Sequence, residues 1–126
     1  MKNKVAVILS ASLIVGVFSY IEFTKIDGIL GEILNRMFVT DTKYAIGYTD
    51  KGFKEIQIGM SEKDVLGILG EPLIRWSPYR NTKFKNKIHY IGFQYSESPS
   101  SSNYRLRQVN LKNNIVVEKH SEFYLD

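Results

Sequence analysis

The chain has 126 residues, is 44% hydrophobic and 24% charged, and carries a formal charge of +4 with a sequence pI of about 9.2. That length suits one compact domain, and that balance excludes a wholly disordered chain. Cysteine is absent, which excludes a disulfide scaffold, a cysteine zinc site, a thiol nucleophile and an N-terminal lipidated cysteine. The only histidines, His89 and His120, are too few for a histidine-rich metal site. No metal and no cofactor are expected, and the positive balance mildly favours anionic partners.

Val5 to Ile21 is an uncharged run that follows Lys2 and Lys4 and ends before Glu22. As a helix it spans roughly 26 Å, just short of a ~30 Å hydrocarbon core. It reads as an uncleaved anchor with its positive flank in the cytoplasm, or as a signal peptide cut after Ser19. Both readings place the rest of the chain outside the cytoplasm. The sequence therefore divides into residues 1–23 as anchor or signal segment, 24–43 as amphipathic helix and linker, and 44–126 as an α+β domain.

Ile26, Ile29, Leu30, Ile33, Leu34, Met37 and Phe38 recur at helical spacing, with Asp27, Gly28, Gly31, Glu32, Asn35 and Arg36 on the other side. The stripe is expected to pack on the domain's own sheet or to continue the anchor. An interfacial helix would want a Lys/Arg-rich polar face, and here Asp27 and Glu32 outnumber Arg36. Val39 to Lys54 reads as a connecting loop pinned by Tyr44, Tyr48 and Phe53.

The best-specified element runs from Ile56 to Pro72. Ser61 is an N-cap and Asp64 completes a capping box. Met60 is placed to staple onto Val65. Val65, Leu66, Ile68 and Leu69 supply a buried stripe, Gly70 allows a left-handed end, and Pro72 prevents continuation. Strands are predicted at Leu73–Tyr79, Ile88–Tyr95, Tyr104–Leu111 and Ile115–Lys119. Ser96–Asn103 reads as a polar loop, and Asn113-Asn114 as a tight turn. The alternation slip between Arg107 and Gln108 suggests a bulge there. The resulting class is α+β: an N-terminal hydrophobic helix, then two short helices packed on a three- to four-stranded antiparallel meander.

No nucleophile–base pairing, paired-carboxylate spacing or phosphate-binding glycine loop is present. The protein is therefore expected to be non-enzymatic, with no small-molecule substrate. Charge is uneven: residues 75–112 hold eight basic residues against one acid, a net of +7, whereas 25–74 are at −2. Aromatic residues interleave with the positive charge. Arg75, Trp76, Tyr79, Arg80, Arg105 and Arg107 are accordingly expected to form one docking face for an envelope protein or anionic lipid. Export argues against nucleic acid.

Gly59-Met60-Ser61, Val65 and Leu69-Gly70-Glu71-Pro72 resemble the signature of the BamE (SmpA/OmlA) family, small envelope proteins of the outer-membrane protein assembly machinery. The resemblance implies two helices on a three-stranded antiparallel sheet, similar to the β-lactamase-inhibitor-protein-like fold. It also implies a membrane-associated adaptor or accessory role in envelope protein assembly. An inhibitor or immunity-type protein acting on an exported enzyme is the alternative that this fold allows. The chain departs from the family in lacking its lipobox cysteine, and Ile26–Phe38 has no counterpart in the family's short exported linker.

Overall fold

Nothing in the N-terminal run breaks a helix, and the computed structural model, which describes residues 2–24, 26–37, 41–100 and 103–124, shows one there. α1 (Lys2–Thr24) has 23 residues and spans about 34 Å. It is long and apolar enough to cross a membrane, and none of its Asn3–Tyr20 stretch is buried. α2 (Gly28–Met37) follows after a short break. The remaining elements are β1 (Lys43–Tyr44), α3 (Asp50–Glu55), α4 (Glu62–Leu69), β2 (Ile74–Trp76), β3 (Ile91–Gln94), β4 (Ser96–Glu97), β5 (Tyr104–Lys112) and β6 (Ile115–Tyr124). The fold is α+β, as the order of periodicities implied.

β2, β3, β5 and β6 form an antiparallel sheet in that spatial order, and β1 pairs with β4 in a separate two-stranded ribbon. α3 and α4 cover one face. Phe53 and Ile56 around α3, Val65 and Leu69 of α4, and Phe93, Tyr95, Val109, Leu111 and Val116 of the sheet side are each at most 2% exposed.

α4 is built as its sequence dictates. Ser61 Oγ accepts from Asp64 N at 3.1 Å, and Asp64 accepts from Ser61 N at 3.2 Å, closing the capping box. The helix ends at Gly70, whose φ is +75°. A Cβ there would lie 3.0 Å from the Ile46 carbonyl oxygen, so only glycine fits comfortably. Tyr95 Oη donates to Gly70 O at 3.0 Å and ties the helix end to the sheet. The helix start is stitched to the β5–β6 hairpin by Gly59 N to Val116 O, Val116 N to Met60 O, and Glu62 N to Asn114 O, all within 2.9 Å. Asn113 and Asn114 turn that hairpin with φ of 50° and 64°.

Several elements depart from expectation. Val39–Lys54 is not simply a loop: it contains β1 and α3, and Thr49 caps α3 by accepting from Gly52 N at 3.0 Å. Gly52 reads as a turn residue, yet it is buried where a Cβ would meet Ile68 and Leu69 at just over 3 Å. The domain boundary drawn at 43/44 consequently falls inside β1. Ser96–Glu97 is strand rather than loop, because Ser96 is fully buried and accepts from Arg107 N at 2.8 Å. β2 and β3 are shorter than predicted, leaving 77–90 as an excursion that contains a 3₁₀ turn at Lys85–Lys87. The bulge falls between Asn110 and Leu111, not at Arg107, which stays in register opposite Ser121.

Ser61→Ala removes the cap and is expected to lower stability by ~1 kcal/mol. Leu69→Ala leaves a core cavity and is expected to cost ~2–5 kcal/mol. Urea unfolding of the full chain in detergent, followed through Trp76, measures both. Equal and negligible losses would show that α4 is not anchored as described.

Candidate functional site

Residues alternate across a strand, so the sheet's two faces follow from register. One row runs Trp76, Gly92, Asn110, Glu118; the next runs Ile74, Gln94, Gln108, His120. Both face away from α3 and α4. The opposite face carries Arg75, Phe93, Val109, Lys119 and Arg107. Lys119 marks that face, because its Nζ donates to Phe53 O and Ile56 O at 3.1 and 2.9 Å at the C-terminal end of α3.

This geometry divides the six residues expected to share one docking surface. Arg75, Arg105 and Arg107 point to the helix side, and each is already paired. Arg75 donates to Glu62 at 3.0 Å and Glu71 at 2.8 Å, with its guanidinium 4.4 Å from the centre of the Phe93 ring. Arg107 is fully buried and holds Asp27 through two bonds of 2.8 and 2.9 Å. Arg105 bridges Asp27 at 3.0 Å and Glu32 at 3.2 Å. Burial would lower the Arg107 pKa, but hydrogen bonding and charge attraction to Asp27, with Tyr48 and Tyr44, together outweigh that, and it rises above the ordinary arginine value. Arg105 and Arg107 tie α2 to the sheet, Arg75 is engaged in surface ion pairs, and the three are not one free basic face. Spacing could not separate the cases, since a buried arginine and a surface arginine look alike in sequence.

Trp76, Tyr79 and Arg80 do come together, on the side facing away from the helices. The indole of Trp76 lies against Gly92, where a Cβ would be 2.9 Å from Nε1. Trp76 keeps 43% exposure, and with Ser77, Pro78, Arg80, Asn81 and Thr82 it lines an open depression of about 540 Å³. Tyr79 packs edge-on against Phe84 and Tyr90, at 5.8 and 5.7 Å between ring centres. Lys87 Nζ lies between 5.0 and 5.8 Å from the centres of those three rings. Arg80, Lys83 and Lys85 are exposed and take part in no ion pair among the described residues. Phe84 and Ile88 are also solvent-exposed, at 45% and 41%. The excursion is thus a cationic surface with aromatic and aliphatic side chains set among the charges.

Glu118 anchors it. Its carboxylate accepts from Lys87, from Tyr79 Oη at 2.7 Å, from Asn110 Nδ2 at 2.9 Å, and contacts His120 Nε2 at 3.2 Å. Burial pushes its pKa up, but the four hydrogen-bond partners pull harder and bring it down to about 2. The same bonds raise Lys87, while burial and then Glu118 raise Tyr79. At neutral pH Glu118 is a fixed anion whose role is to hold the excursion on the sheet. Sequence reasoning missed this cluster. The one available signal was Gln108 and Asn110 alternating with Val109 and Leu111, which marks a polar second face on a central strand. Among the described residues no three His, Asp or Glu side chains converge as a metal-binding group.

No family model matches the chain, and neither a curated protein nor a solved structure matches it significantly.

Because the Glu118 pKa is depressed on folding, its contribution is present above the ordinary value of 4.5 and is lost as pH falls through about 2. Glu118→Gln is expected to lower stability at neutral pH, and the gap from the parent protein should narrow between those values. Urea midpoints measured across that range test this. A gap independent of pH would show that Glu118 is not held as an anion.

Proposed function

We propose that this protein is a non-enzymatic, membrane-anchored adaptor of the cell envelope with a BamE-like domain. On this reading α1 is a single-pass anchor, and Lys2 and Lys4 keep its N-terminus in the cytoplasm. The domain then projects on the extracytoplasmic side, and it docks on an acidic surface of an envelope protein as an accessory factor in assembly.

The observation that carries the docking reading is the excursion over residues 77–90, together with Trp76. Three cations in no ion pair among the described residues stand beside exposed Trp76, Phe84 and Ile88, on a segment bonded to Glu118 through Tyr79 and Lys87. Interfaces draw their affinity from buried aromatic and arginine anchors, and complementary charge speeds the encounter. The surface is smaller than the sequence suggested, because Arg75, Arg105 and Arg107 are committed to internal pairs. The resemblance to BamE rests on α4: a capped, glycine-ended helix whose Gly59-Met60-Ser61 start is bonded to a hairpin of the sheet. Val65 and Leu69 are buried as the core side of that motif, and Pro72 follows the break.

A photo-crosslinking residue at Phe84 in intact membranes is expected to give a discrete protein adduct. Reversal of Arg80, Lys83 and Lys85 to glutamate should reduce it at least tenfold, and raised salt should do the same. A crosslinker at Lys112, outside the excursion, should give none. An adduct insensitive to charge reversal would refute the docking surface. Crosslinking only to anionic lipid would replace the protein partner with a headgroup surface.

A further inference from the structure

α2 leaves part of its apolar stripe uncovered by the domain. An amphipathic helix ordinarily buries its apolar stripe. Here Leu30, Ile33 and Met37 are 68%, 47% and 70% exposed. They lie within about 60° of arc on the helix, with Gly31 roughly 130° away. The docked side takes in Ile26, which packs on the core, half-buried Ile29 and Leu34, buried Gly31, Asp27 just before the helix, and Glu32. Asp27 and Glu32 are held by Arg107 and Arg105.

That arrangement removes the objection to an interfacial helix raised by its composition. The two acids face the domain and are neutralised there, so they present no repulsion to anionic headgroups. Arg36 remains exposed. The position is also constrained. From Thr24 to Gly28 the backbone reaches at most ~14 Å, so α2 cannot stand far from where α1 ends.

We propose that α2 lies in the interface of the bilayer that α1 enters, with Leu30, Ile33 and Met37 at the boundary between headgroups and acyl chains. Lipid is the occupant because the stripe follows directly on an apolar helix whose Asn3–Tyr20 stretch is not buried against the domain. The Asp27–Arg107 and Glu32–Arg105 pairs then hold the domain on the opposite side of α2, at a set orientation to the membrane. The inference rests on the anchor reading of α1 and is independent of the docking surface on the excursion.

The absence of cysteine allows a direct test. The full chain is reconstituted into phosphatidylcholine–phosphatidylglycerol vesicles as Ile14→Cys, Ile33→Cys, Met37→Cys and Lys51→Cys, each carrying one fluorophore. Lipids bearing nitroxides at headgroup depth should quench the labels at 33 and 37 at least twofold. Nitroxides deep in the acyl chains should quench the label at 14, and neither kind should quench the label at 51. Labels at 33 and 37 as unquenched as that at 51 would overturn the interfacial placement. If the label at 14 is quenched in that case, the anchor stands alone; if it is not, the anchor reading fails as well. Label–label contact between copies at 33 or 37, without lipid quenching, would assign the stripe to a second copy and overturn the proposal.

Discussion

A buried arginine without a counter-charge is among the costliest groups a small domain can hold, and here the counter-charge comes from eighty residues away. Arg107 sits fully buried on the central strand, and Asp27, before α2, meets it with both carboxylate oxygens. The guanidinium also lies 5.9 Å from the centre of the Phe53 ring. Its Nε finds no hydrogen-bond partner and has only Asp50 at 3.7 Å. Pairs of this kind add little net stability over apolar residues of similar shape. Breaking one side, however, leaves a buried charge alone. The pair therefore works as a registration device: it permits one docking of α2 and disfavours the rest.

The orientation of everything N-terminal follows from that contact. With Asp27 and Glu32 committed to Arg105 and Arg107, α2 has Leu30, Ile33 and Met37 left over, turned outward beside an apolar helix. On the far side of the sheet a second, part-buried ionic group does the equivalent task. Glu118 gathers Lys87, Tyr79, Asn110 and His120 and fastens the excursion to strands that would otherwise expose a polar face. The domain is thus a sheet clamped on both faces by charge as well as by packing, and three exposed cations outside any ion pair among the described residues, Arg80, Lys83 and Lys85, lie close together on the excursion. The surplus of basic residues read from the sequence divides into arginines that hold the fold and a few residues available to a partner.

The legible parts were those decided locally. Ser61 with Asp64, Gly70 before Pro72, and Asn113-Asn114 specify their backbone from a few neighbouring residues, and α4 and the β5–β6 hairpin form accordingly. α3 was hidden because Gly52 reads as a turn, although the tight approach of Ile68 and Leu69 is the reason for glycine there. β4 was hidden because Ser96 belongs to a polar run, while its burial depends on Arg107 in a distant strand. The expected docking surface failed in part for the same reason. Whether an arginine is a free anchor or a clamp depends on which carboxylate the fold delivers, and no spacing within Arg75–Arg107 encodes Asp27, Glu32 or Glu62; only Glu71, four residues before Arg75, is a local partner.

A double-mutant cycle on Asp27 and Arg107 probes this account most directly, using Asp27→Leu, Arg107→Met and the two combined, with urea unfolding of the full chain as readout. Each single change should cost ~3–5 kcal/mol, because it strands the other charge in the interior, and the combined change should cost less than either. Additive losses, or single changes within ~0.5 kcal/mol of the parent protein, would show that the pair does not hold α2 to the sheet.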